Sequence, residues 1–173
     1  MTNQHIFLVG PMGVGKTTIG KRLASLLERP FIDIDKEIEA RSGADIQWIF
    51  DREGEHGFRE RESRVFEDII TANDRSVIAT GGGIVLRAIN RNFLREYGQC
   101  VYLSASKEQL YERTLRDKSR PLLQVENRQQ VISDLLKERD PLYREVADLV
   151  FTADGGQINK VAKRLLDALS ELC

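Results

Sequence analysis

Residues 10–17, Gly10-Pro11-Met12-Gly13-Val14-Gly15-Lys16-Thr17, spell the complete Gly-x-x-x-x-Gly-Lys-Thr phosphate loop. No other stretch restricts the fold so tightly. The apolar run Ile6-Phe7-Leu8-Val9 precedes it, and Ile19, Leu23, Leu26 and Leu27 follow at helical spacing. That order predicts a strand, a tight loop and a helix, the setting in which the motif has a mechanism. The glycines let successive backbone N–H groups converge on phosphate oxygens at a helix N-terminus, where the partial positive charge favours anions. Lys16 is expected to reach the β- and γ-phosphates and Thr17 to offer its hydroxyl to Mg²⁺. Gly13, Val14, Gly15, Lys16, Thr17 and Thr18 form the expected nucleotide cradle. A glycine-rich turn without a ligand is the alternative, and the fixed positions in a strand–helix frame favour a nucleoside triphosphate such as ATP.

A length of 173 residues with 41% hydrophobic content fits one globular domain, residues 1–173. The net charge of −1 offers no electrostatic case for nucleic acid or an anionic membrane. Cys100 and Cys173, like His5 and His56, are too scattered for a zinc site or a redox pair. No apolar run is long enough to cross a bilayer, and the N-terminus lacks a signal peptide's basic start and apolar core. A cytoplasmic monomer is expected.

Five apolar runs, Ile6–Val9, Phe31–Ile34, Val77–Ala79, Val101–Leu103 and Leu149–Phe151, read as buried strands with helix-period segments between them. The alternation predicts an α/β fold, a parallel sheet covered by helices on both faces. Two stretches interrupt the rhythm: residues 35–62, charged and carrying a Gly-Glu-x-Gly turn, and the basic, proline-containing residues 114–125.

Asp33-Ile34-Asp35 closes the second predicted strand. Side chains two apart on a strand share a face, roughly 7 Å apart, so both carboxylates would face the phosphate loop. Alternatively, Asp35 N-caps a helix starting at Lys36. The third strand ends in Thr80-Gly81-Gly82-Gly83 without the aspartate that usually holds Mg²⁺ there, which leaves Asp33 as the candidate metal carboxylate. Asp35 would then accept a proton from a substrate hydroxyl. On a helix starting near Phe58, the residues Phe58, Val65, Phe66, Ile69 and Ile70 make one apolar arc, and Arg59 and Glu62 fall inside it. Either the two form a structural i, i+3 pair, or Glu62 fixes Arg59 as a fork for a substrate carboxylate. The triple glycine 81–83 permits a ligand to lie against the backbone. In the basic run 113–123, Arg120 is the candidate that closes over the γ-phosphate. Arg139, expected at a helix break before Pro141, is either a partner for a helix dipole or a second carboxylate clamp.

The phosphate loop, Asp33-x-Asp35, Gly54-Glu55-x-x-Phe58-Arg59-x-x-Glu62, Gly81-Gly82-Gly83, Arg120-Pro121-Leu122-Leu123 and Arg139-x-x-x-Tyr143, taken in this order, resemble the shikimate kinase family along essentially the whole chain. The resemblance implies a P-loop, nucleoside-monophosphate-kinase-like fold of three α/β/α layers around a five-stranded sheet in order 2-3-1-4-5. It implies a substrate-binding subdomain at about 33–62 and a lid at about 114–125. It further implies phosphorylation of the 3-hydroxyl of shikimate by MgATP. Catalysis would fall to Lys16, Asp35 and Arg120, and shikimate binding to Asp35, Arg59, Gly81, Gly82, Gly83 and Arg139. Arg113 would flank the adenine and Gln157 would belong to the nucleotide site. The chain departs from the family at Asp154-Gly155-Gly156-Gln157, where a proline is common. A gluconate kinase, a nucleoside monophosphate kinase and a nucleotide-dependent switch remain as alternatives.

Overall fold

Along His5–Val9 (β1) successive side chains go to opposite faces of a sheet, and both faces are dry. Phe7 and Val9 join one apolar cluster, Ile6 and Leu8 the other. The same period of two divides Ile78 from Val77 on Val77–Ala79 (β3), and Cys100 and Tyr102 from Val101 and Leu103 on Gly98–Ser104 (β4). The computed structural model describes residues 4–115, 123, 126–153 and 155–172. Within them Phe31–Asp33 (β2) and Leu149–Thr152 (β5) complete a five-stranded, all-parallel sheet in order β2-β3-β1-β4-β5.

Helices Lys16–Leu27 (α1), Lys107–Thr114 (α5) and Ile158–Glu171 (α7) contribute to the cluster of Ile6 and Leu8. Helices Ile34–Ser42 (α2), Ile46–Ala72 (α3), Ala88–Tyr97 (α4) and part of Arg128–Val146 (α6) contribute to the cluster of Phe7 and Val9. The central strands are buried as expected, whereas the edges are not. All three residues of β2 are half-buried and Val150 on β5 is exposed, because each edge strand has only one neighbour. His5 is a core residue. It accepts from the Ser76 N–H at Nδ1, so its Nε2–H donates to the Ile70 carbonyl, joining β1 to the end of α3.

Three local expectations are corrected. The second strand stops at Asp33 and α2 begins at Ile34, so Asp35 lies in the first turn of a helix and shares no strand pleat with Asp33. The helix expected near Phe58 starts at Ile46, capped by Asp45, and bends at Gly54, whose φ of 72° breaks the helical path. Across the bend, Arg61 pairs with Glu53 through two nitrogens. Finally, α6 runs through Pro141 rather than breaking there. Proline removes one intrahelical donor. The turn is held from outside by the Tyr102 hydroxyl donating to Asp140 at 2.7 Å, and within α6 by Arg144 donating to the same carboxylate at 2.9 Å.

Candidate active site

The phosphate loop, Asp33 and the 81–83 glycine loop lie at the ends of β1, β2 and β3, at the C-terminal edge of the sheet, where parallel α/β folds bind ligands. The phosphate loop enters α1 through Gly15, whose φ of 104° is open to glycine and strained for other residues. Lys16 Nζ lies 2.7 Å from the Gly10 carbonyl and 3.0 Å from that of Pro11, so its ammonium is held over the loop. The Thr17 hydroxyl donates to Asp33 Oδ2 at 2.7 Å, while Asp33 Oδ1 accepts from the Lys36 N–H and caps α2. The cap is therefore Asp33, not Asp35. Arg113, in the last turn of α5, donates to the carbonyls of Gly13 and Val14 at 3.2 and 3.0 Å.

These groups border a cavity of about 440 Å³ lined by Gly13, Val14, Gly15, Lys16, Thr17, Thr18, Asp33, Asp35, Thr80, Arg113, Gly155, Gly156 and Ile158, among others. Gln157 lies between two lining residues without lining the cavity itself, and starts α7 without a side-chain cap.

A second cavity adjoins it, lined by Met12, Asp35, Ile46, Phe50, Phe58, Arg59, Glu62, Gly81, Gly82, Gly83 and Arg139. Asp35 borders both. Arg59 donates to Glu62 Oε1 at 3.0 Å, stands over the Phe58 ring and lies against the Gly83 backbone, where a Cβ would overlap its guanidinium. A Cβ on Gly81 would stand 2.7 Å from Glu62 Oε2 and 3.0 Å from Asp35 Oδ1. A side chain at 81 or 83 would therefore have to displace these charged groups from their places. Arg87 donates to Ser63 and to the Arg59 carbonyl, bracing α3 against the segment after the glycine loop.

The electrostatics of this second cavity are unbalanced. Glu62 is fully buried, and desolvation pushes its carboxyl up to about 7; the Arg59 charge opposes the rise and Asp35 adds to it. Among the described residues, Arg59 Nε, Glu62 Oε2 and Arg139 Nε are buried with no hydrogen-bond partner. Two buried guanidinium groups with unused donors, beside a carboxyl drawn toward its neutral form, make a receptor for an anion.

The family model for shikimate kinase matches residues 12–170. The chain belongs to the shikimate kinase family. It is 53% identical over 169 residues to the shikimate kinase of Pseudomonas fluorescens, covering 98% of each chain. It is 52% identical to that of Acinetobacter baylyi, covering 95% of this chain and 91% of the other. Among solved structures, the shikimate kinase from Acinetobacter baumannii in complex with shikimate superposes with a TM-score of 0.95 at 50% identity, over 98% of this chain and 94% of that one. A gluconokinase from Sinorhizobium meliloti reaches 0.55 at 16% identity, a likeness of fold alone.

In this shikimate kinase-family chain, Arg120 and most of the 114–125 segment lie outside the described residues. Sequence reasoning missed Thr80 on the nucleotide side, and Met12, Ile46 and Phe50 on the other. Met12 hides inside the phosphate-loop motif, and Ile46 and Phe50 come from the part of α3 before its bend. Cys100 is buried, and burial, followed by the Asp148 charge, raises its thiol, so it is no nucleophile.

Proposed function

We propose that the protein phosphorylates the 3-hydroxyl of shikimate with ATP, giving shikimate 3-phosphate and ADP, in the cytoplasm and as a monomer. The single observation that carries this reading is Asp35, one carboxylate bordering both the phosphate-loop cavity and an arginine-lined cavity suited to a small acid. The segment at about 33–62 then acts as the substrate-binding subdomain, since Asp35, Ile46, Phe50, Phe58, Arg59 and Glu62 all line the acid cavity. The segment at about 114–125 acts as the lid, with Arg120 reaching the γ-phosphate.

Arg59 and Arg139 hold the substrate carboxylate by charge-assisted hydrogen bonds at one end of the pocket, which aims the hydroxyl at the phosphate loop. Asp35 accepts the hydroxyl proton as the new O–P bond forms and the bond from the γ-phosphorus to the bridging oxygen breaks, leaving ADP. Backbone N–H groups of the phosphate loop and Lys16 spread the charge on the phosphates.

The donor set of Thr17 and Asp33 fits Mg²⁺. The threonine hydroxyl donates its hydrogen bond to Asp33 and keeps its lone pairs for a hard cation, which binds in such sites through one or two protein oxygens plus phosphates and water. Mg²⁺, when bound, neutralises charge on the β- and γ-phosphates. No helix among the described residues is long and apolar enough to cross a membrane.

An ADP-release assay offering shikimate, gluconate and nucleoside monophosphates in parallel tests the reading. Shikimate alone should support rapid turnover; equal or faster turnover of another acceptor would displace it.

A further inference from the structure

We propose that Tyr143 is a positioning residue for the acid substrate: its buried hydroxyl ties the Gly82 carbonyl to the Arg139 guanidinium and fixes two walls of the acid pocket relative to each other. The inference rests on the reading of that pocket as the shikimate site. Tyr143 is fully buried, and its ring packs on Tyr102 with centroids 5.0 Å apart. Its O–H donates to the Gly82 carbonyl. Arg139, one helical turn earlier on α6, stands beside the same glycine, with its Nη1 3.5 Å from where a Gly82 Cβ would lie, and its charge acts on the Tyr143 hydroxyl.

Gly82 and Arg139 both line the acid cavity; Tyr143 does not. It lines the apolar crevice behind, with Pro11, Met12, Leu110, Leu136 and Arg139 among its neighbours. Tyr143 therefore acts through other residues rather than on the substrate.

Three successive glycines are the loosest backbone the genetic code allows, so their conformation has to be imposed from outside. Thr80 anchors one end by donating to the Leu8 carbonyl at 3.0 Å, and the turn from Gly81 to Ile84 closes the other. Tyr143 pins the middle. Because the peptide between 82 and 83 is planar, holding its carbonyl also sets the direction of the Gly83 N–H. A phenol has one proton to give and lone pairs to offer, so it satisfies a carbonyl and a guanidinium together, and each bond polarises the other. Burial pushes the Tyr143 hydroxyl up to about 12, so the donor stays protonated well beyond physiological pH.

If Tyr143 only filled the core, phenylalanine would serve as well. The test is steady-state kinetics of Y143F beside R139K and Y102F, with melting temperatures for all three. Y143F keeps the ring. It should raise KM for shikimate roughly five- to thirtyfold, in line with an orphaned buried acceptor, and leave KM for ATP within about twofold. Y102F removes a neighbouring hydroxyl bonded to Asp140 and should lower the melting temperature with no change in KM for shikimate.

An unchanged KM for shikimate in Y143F, an equal rise in both KM values, or the same KM rise in Y102F overturns the inference. R139K separates the two levels. If it too leaves KM for shikimate unchanged, the acid-pocket reading fails; if R139K raises KM and Y143F does not, only the role of Tyr143 falls. Should Y143F not fold, 3-fluorotyrosine at 143 keeps the hydroxyl and makes it more acidic at the cost of one ring hydrogen replaced by fluorine. It should shift KM for shikimate, and an unshifted value overturns the proposal.

Discussion

Arg59 has a side chain only 11% exposed, sits against a backbone with no Cβ and has one bond to Glu62, yet its Nε is left without a partner. A residue held so closely and left unsatisfied is set for a planar, two-pronged ligand. Lysine keeps the charge and loses the fork. R59K should raise KM for shikimate roughly ten- to a hundredfold with little change for ATP, as measured by titrating each substrate at saturating levels of the other; parallel losses would contradict the clamp. Asp35 makes a different demand, since in the proposed reaction it takes the hydroxyl proton. D35N should reduce kcat about 10²- to 10⁴-fold while the melting temperature stays near that of the unmodified protein, and near-normal turnover would remove it from the role of base. At this scale the sequence was informative. A charged pair on an apolar arc is an anomaly that burial explains, crowding accounts for the glycines at 81 and 83, and the arc did contain Arg59 and Glu62.

Elements were legible where their periodicity is long and ambiguous where a short-range rule met a tertiary contact. The five strands and the amphipathic α7 follow from their patterns. The start of α3 does not, because Gly54 and Gly57 read as a turn. In the folded protein, Gly54 bends the helix and the Glu53–Arg61 pair spans the bend. A Cβ on Gly57 would press on Glu53 at 2.7 Å. Pro141 misled in the same way, since an aspartate bonded to Tyr102 on β4 keeps that turn in register. Asp35 reached the predicted neighbourhood by a helix rather than a strand, because Asp33 is a better cap than a pleat partner. The bend yields its own prediction. A Cβ on Gly54 would meet nothing within 4 Å, so G54A carries only the backbone penalty of a conformation open essentially to glycine, φ 72° with ψ 177°. It should cost about 1–3 kcal/mol in urea unfolding. As Ile46 and Phe50 lie before the bend, KM for shikimate should rise with it.

For the molecule as a whole, the buried Glu62 links stability to pH. Desolvation raises its carboxyl from the usual 4.5 to about 7. Between those values the native chain holds a proton that the unfolded chain has released. The extra stability is therefore full below pH 4.5, falls as pH rises and is gone above 7. Glutamine cannot titrate, so the stability of the natural protein relative to E62Q should drop by about 2 kcal/mol between pH 5 and 7.5, read from urea midpoints at the two values. A flat difference would mean that Glu62 stays ionised when buried. The partition of the interior carries a last consequence. Since the first turn of α2 supplies, among the described residues, the one side chain that lines both chambers, an inhibitor tethering the two proposed substrates would have to thread past it. The length of its linker is dictated by the first turn of a helix rather than by either ligand.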